Sequence, residues 1–125
     1  SGVAVIKEAY RIYKERGYTT RLLSAANRNV YHWCEILGGD LVQTINYSWH
    51  KRLNACDVEV KDRMADQVPE VYMNELNKIE EFHKSFEENG MKPEEFVTYG
   101  GFRDTLTTFI AGYDDLCKLI RGYMI

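Results

Sequence analysis

Apolar side chains fall at helical spacing from the start of the chain. Val3, Ile6, Tyr10 and Tyr13 share a side with Ala9, while Lys7, Arg11, Lys14 and Glu15 lie largely opposite. This predicts an amphipathic helix stopping at Gly17, where glycine accepts a left-handed backbone without strain. Thr19–Ala25 is β-branched at its start, apolar in its middle and without helical period, which predicts a strand that is partly or wholly buried. Asn27, Arg28 and Asn29 form a turn and a helix start, and Val30, Trp33, Ile36 and Leu37 carry the helix on until Gly38, Gly39 and Asp40 break it. Leu41–Ile45 predicts a second strand and Tyr47–Cys56 a further helix. Alternation of this kind implies parallel strands joined by right-handed crossovers.

After Asp57 the pattern changes. Residues 57–69 are charged, weakly periodic and closed by Pro69, as expected of a connector or an irregular short helix. Tyr72, Leu76, Ile79, His83 and Phe86 mark one face of a single long helix stopping at Asn89 and Gly90. Pro93, Glu94 and Glu95 suit a first helical turn, because proline lacks the amide hydrogen and carboxylates favour the positive end. Leu106, Phe109, Ile110, Tyr113, Leu116, Cys117 and Ile120 define a last helix with a broad apolar stripe. The expected division is therefore βα units over 1–56, a connector over 57–69 and C-terminal helices over 70–125. Two parallel strands leave unpaired main-chain groups along their outer edges. The expectation is a piece of a longer barrel or open sheet, or a sheet completed by another molecule.

Composition narrows the function classes. Net charge is −3, with 16 basic and 19 acidic residues mixed along the 125-residue chain, so no basic stripe is available for a nucleic-acid backbone. Cys34, Cys56 and Cys117 are odd in number and far apart, which argues against a disulfide framework and for a reducing, cytoplasmic compartment. No apolar run approaches the length of a membrane span. The chain opens on Ser1 and Gly2 with no methionine, which reads as a processed end or a vector scar and hints at missing upstream sequence.

Three stretches are familiar. Residues 9–20 (AYRIYKERGYTT) resemble the helix-glycine-strand entry of transaldolases. Residues 24–30 (SAANRNV) are similar to that family's late strand and phosphate turn, commonly alanine-serine-phenylalanine-arginine-asparagine, and residues 37–42 (LGGDLV) to the glycine-rich approach to its last barrel strand. The likeness is good over about the first 50 residues of this stretch and weaker from Val71 to Ile120. It implies the C-terminal portion of a (βα)8 barrel of α/β class, holding the last two parallel strands. In such barrels the chemistry sits at the carboxyl ends of the strands.

The resemblance further implies a transferase of carbohydrate metabolism in the pentose phosphate pathway. A lysine on an earlier strand would form a Schiff base with a ketose phosphate and transfer a dihydroxyacetone unit, with no cofactor or metal. The family's phosphate-binding arginine maps onto Arg28. Its guanidinium fork beside helix-start amides would hold the substrate phosphate, with Asn29 and Ser24 assisting. The family's serine maps onto Ala26, Asn27 stands in place of an aromatic and Asn46 in place of a proline. Each departure bears on phosphate affinity and substrate identity. Lys7, Lys14, Lys51, Lys61, Lys78, Lys84, Lys92 and Lys118 all fall on expected helix surfaces or in loops. No residue here is then catalytic, and the chain alone is expected to be inactive, its partners being a sugar phosphate in the full-length protein and either further copies or the missing N-terminal part.

Simpler roles stand beside these. Arg28 could be a solvated arginine, Asn29 a helix cap, and Ser24 could face either the barrel centre or the surrounding helices. His32, Cys34 and Glu35 do not share one helical face, so a surface histidine and a packed thiol are expected. His50 is a lone histidine, and His83, on the apolar stripe, reads as a satisfied buried one. Glu80, Glu81, Glu87 and Glu88 read as a solvated face, and Gly100 with Gly101 as a hinge or turn between helices. The alternatives are a class I sugar-phosphate aldolase that splits rather than transfers, and a nonenzymatic helical self-association module centred on residues 71–125.

Overall fold

The computed structural model describes residues 1–124; Ile125, the last position of the expected C-terminal helices, lies outside the described residues. The chain divides into two compact units, Ser1–Glu88 and Asn89–Ile125.

The first unit begins with α1 (Gly2–Glu15), as its periodicity predicts. Gly17 stops it in a left-handed conformation (φ +63°). The Tyr18 amide donates to Tyr13 O (3.0 Å) and the Gly17 amide to Lys14 O (3.3 Å), the two bonds of a Schellman stop. The Tyr13 and Tyr18 rings meet edge to face at 5.0 Å, supplying the apolar contact that accompanies this motif. On the outer side of α1, Arg11 pairs with both Glu8 and Glu15, its neighbours one turn away along the helix.

Strands β1 (Leu23–Ser24) and β2 (Val42–Gln43) pair in parallel, with Leu23 opposite Val42 and Ser24 opposite Gln43. The parallel sense agrees with the expectation from alternation; the extent does not. Each strand is two residues long, and Leu23 and Val42 are exposed rather than buried. A strand with one neighbour has one ladder to form, so the flanking residues run on without partners.

Between them lies α2 (Val30–Cys34), shorter than the expected helix to Leu37. The chain turns at Gly38 (φ +86°), where the Asp62 carboxyl group fills the space a Cβ would take. Leu37 O accepts from the Arg63 and Met64 amides, both at 3.0 Å, stitching the connector to this turn. α3 (Tyr47–Asn54) is capped by Asn46, whose side-chain oxygen accepts from the Trp49 amide at 3.0 Å.

The single long helix expected over residues 72–86 is two: α4 (Glu70–Leu76) and α5 (Glu80–Phe86). At the break, Asn77 O leaves the helical ladder and pairs with His83 Nε2 at 3.0 Å, while Ile79 takes an extended backbone and starts α5. The core of the unit gathers Ala4, Cys34, Ile36, Leu53, Met64 and Phe82, with α1 packed against α2 and α5.

In the second unit a 3-10 turn over Pro93–Val97 is closed by the Glu95 carboxylate, which accepts from the Lys92 amide at 2.8 Å. α6 (Gly100–Arg121) follows. Gly100 and Gly101, expected as a hinge, are the first residues of that helix. The Thr105, Thr107 and Thr108 hydroxyls donate to carbonyls one turn back, at 2.7, 2.8 and 2.8 Å. No residue of α6 is buried. Among the described residues no helix is long and apolar enough to cross a membrane.

Candidate phosphate-binding turn

The segment from Ser24 to Asn29 leaves the carboxyl end of β1 and returns to α2. Two features shape it. Ala26 holds a left-handed backbone (φ +56°), uncommon for a residue with a Cβ and costing on the order of 1–2 kcal/mol. Asn27, 1% exposed, then clamps the two strand ends. Its main-chain amide donates to Thr44 O (3.2 Å), and its Nδ2 donates to Thr44 O (3.1 Å) and Ser24 O (3.4 Å). The Ala26 amide donates to the Thr44 hydroxyl at 3.1 Å. Four hydrogen bonds thus tie the strained turn to the ends of β1 and β2, enough to hold it against its backbone cost.

Arg28 follows this clamp directly and is exposed. Among the described residues its guanidinium has no hydrogen-bond or ion-pair partner, whereas Arg11, Arg16, Arg21, Arg63 and Arg103 are each paired with a carboxylate. A five-donor fork left open beyond a strand end can take a phosphate in bidentate fashion. Asn29 is the cap of α2: its Oδ1 accepts from the Tyr31 amide at 2.9 Å, leaving only its Nδ2 hydrogens for a ligand. α2 is five residues long, so its dipole adds little and the guanidinium supplies most of the positive charge. Ser24 is half-buried; its carbonyl accepts from the Thr44 amide at 3.0 Å, and its hydroxyl has no partner among the described residues.

Sequence reasoning passes over Thr44, and places Asn27 in the turn without its role as the clamp. A usable sign exists for Thr44: it is a hydroxyl just past the end of β2, as Ser24 is a hydroxyl at the end of β1. Among the described residues two cavities stand out, and neither reaches Arg28 or Ser24. The larger, about 730 Å³, lies along α1 beside Lys7, Tyr10 and Met64; the smaller, about 480 Å³, touches Asn29, Trp49 and Arg63.

The other candidate groups are accounted for locally. His32 Nδ1 accepts from the Arg28 amide at 3.5 Å. Cys34 is buried, and burial, then the neighbouring Glu35 carboxylate, push its thiol above the usual range, away from the reactive thiolate. His83 is not buried as expected; it is partly exposed between Asn77 O and Glu87 Oε1. Lys7 corrects the expectation of surface lysines. Its side chain is 9% exposed, and Nζ donates to Arg63 O (2.8 Å) and Asp66 O (2.7 Å) and lies 3.5 Å from the Glu35 carboxylate. Neither strand carries a lysine.

Residues 1–120 match the family described as Transaldolase/Fructose-6-phosphate aldolase. The chain belongs to this family. No curated protein and no solved structure matches the chain. Membership agrees with the resemblance of the three stretches above and brings a (βα)8 barrel as the family's fold, sugar phosphates as its substrates and frequent oligomers. The parallel pairing of β1 with β2 is consistent with that fold.

Proposed function

We propose that the chain is the C-terminal part of a transaldolase-type (βα)8 barrel and contributes its substrate phosphate site. In this reading β1 and β2 are the last two barrel strands within 1–56, residues 57–69 connect, and 70–125 form the C-terminal helices. The observation that carries the reading is the unpaired guanidinium of Arg28, the residue that follows the Asn27 clamp just beyond the carboxyl end of a parallel strand. Arg28 grips the phosphate, the Asn29 side-chain amide adds a donor, and the Ser24 hydroxyl faces the same ligand from the strand end.

Gripping the phosphate fixes the far end of a ketose so that its carbonyl reaches the Schiff-base lysine on an earlier strand, converting a bimolecular encounter into a positioned one. Carbon–carbon cleavage then leaves a dihydroxyacetone unit on that lysine for transfer to an aldose phosphate. Lys7, bound to two main-chain carbonyls on a helix, is a poor nucleophile, so the isolated chain is inactive and depends on the upstream βα units. The same phosphate grip serves an aldolase that releases the three-carbon unit. The compartment is cytoplasmic, the pathway the pentose phosphate pathway, and the open edges of β1 and β2 are closed by the N-terminal part or by another copy.

In the full-length protein, Arg28→Ala weakens binding of phosphorylated substrates by about 1.5–3 kcal/mol, the scale of a charged hydrogen bond. KM rises while borohydride still traps the ketose adduct on the upstream lysine. Unchanged kinetics on sugar phosphates would overturn the assignment. The second reading, a self-association module, is favoured by a different observation: the uncovered apolar face of α6.

A further inference from the structure

Thr44 has one polar hydrogen left unbound. Its amide donates to Ser24 O (3.0 Å), and its carbonyl accepts from the Asn27 amide (3.2 Å) and from Asn27 Nδ2 (3.1 Å). With both main-chain groups engaged, the direction of its Cβ is fixed, and a β-branched side chain keeps few rotamers about that bond. The hydroxyl oxygen accepts from the Ala26 amide at 3.1 Å. A threonine hydroxyl has a hydrogen to donate as well as lone pairs to accept with. Among the described residues no acceptor takes that hydrogen, and Thr44 is exposed. Accepting from the amide polarises the O–H bond and makes the hydroxyl a stronger donor. The Ala26 amide, whose own side chain offers no donor, is thereby extended outward by one hydroxyl.

We propose that the Thr44 hydroxyl donates to the phosphate gripped by Arg28, which makes Thr44 a further substrate-binding residue. The inference rests on the phosphate reading of the turn and adds a residue from the other strand to it. Two observations carry it. The first is place. Thr44 holds Ala26 and Asn27, the two residues immediately before Arg28, so hydroxyl and guanidinium belong to one tied segment at the carboxyl ends of β1 and β2. The second is charge. Residues 24–29 and 42–46 include no carboxylate, and Arg28 is their only charged side chain. An anion is therefore the acceptor that suits this hydroxyl, and a cationic group finds no partner here. A phosphate monoester presents three strong acceptor oxygens. A bidentate guanidinium takes two of them and leaves the third for a neutral donor.

Binding of inorganic phosphate to the full-length protein tests the assignment, followed by phosphorus NMR, which reads dissociation constants weak enough to follow two losses together. Thr44→Val keeps the β-branch and removes the hydroxyl, and raises the dissociation constant on the order of tenfold. Thr44→Ser keeps the hydroxyl and recovers most of that loss. Because Thr44→Val also frees the Ala26 amide, a double-mutant cycle with Arg28→Ala separates a lost contact from a loosened turn. A direct contact outlives the guanidinium, so Thr44→Val weakens binding by a similar factor in both backgrounds. A role exercised only through the placement of Arg28 vanishes once Arg28 is alanine, and that result overturns the proposal. So does a Thr44→Ser variant as weak as Thr44→Val. Arg28→Ala that weakens binding while Thr44→Val does not overturns this inference alone. Arg28→Ala without effect overturns the phosphate reading and this inference with it.

Discussion

α1 and α6 carry comparable apolar stripes, and the chain uses them differently. α1 buries Ala4, packs against α2 and α5, and anchors the Lys7 ammonium on the Arg63 and Asp66 carbonyls. α6 runs for 22 residues without burying one, with Phe109 and Tyr113 at 74% and 67% exposed. α1 is held by its surroundings. α6 is held by its own main-chain ladder and by its length, which spreads the cost of nucleation. Amphipathicity therefore locates an apolar face without saying what covers it, and local stability should differ accordingly between the two units.

The sharpest way to break this comparison is truncation. Ile36, 1% exposed in the first unit, loses about 3 kcal/mol on Ile36→Ala. Phe109→Ala in the second unit, measured in dilute monomer, stays within about 0.5 kcal/mol. Urea unfolding followed by unit-specific probes checks both; equal losses would mean that α6 has an inside. Next in size is the α1 anchor. Lys7→Met keeps the stem but leaves two carbonyls without their charged donor, costing about 2 kcal/mol and raising hydrogen exchange in α1 ahead of α3.

A smaller effect of opposite sign is expected at Ala26. Ala26→Gly removes the left-handed strain and returns part of it as unfolded-chain entropy, for a net gain of about 0.5 kcal/mol in thermal unfolding. The smallest effect belongs to His83. Its Nε2 faces Asn77 O and its Nδ1 the Glu87 carboxylate, both acceptors, so the doubly protonated ring is favoured and the pKa is raised, first by the Asn77 carbonyl and then by Glu87. A raised folded-state value means the contribution is complete below the ordinary histidine pKa and fades as pH climbs through the folded one. NMR titration should find His83 above the usual range, with amide protection at the start of α5 falling as the ring loses its proton; His83→Gln should remove that dependence.

What was legible in the chain was local. The Gly17 stop involves residues 13–18 alone, and the Asn29 and Asn46 caps involve their own next turn. The parallel sense of β1 and β2 followed from alternation, but their two-residue extent depends on neighbours that no strand pattern reports. The break between α4 and α5 leaves no mark in the apolar pattern, whose positions stay in phase across it, although an acceptor-seeking histidine six residues after Asn77 is a usable sign. Lys7 was unreadable: its partners lie in the connector, far along the chain, and are carbonyls, which any residue supplies. The resemblance reached Arg28 by its place after a strand, whereas the Asn27–Thr44 clamp joins two loops that only the register of β1 on β2 brings together.

That register has a kinetic side. The segment linking β1 to β2 is short and carries α2 within it, so Leu23 meets Val42 after closing a modest loop, at little entropic cost for a parallel pairing. Parallel pairings are slow as a class, and one this close in sequence forms early among them. The clamp around the arginine turn can therefore assemble as a local nucleus and wait, already shaped, for the slower elements to dock on it.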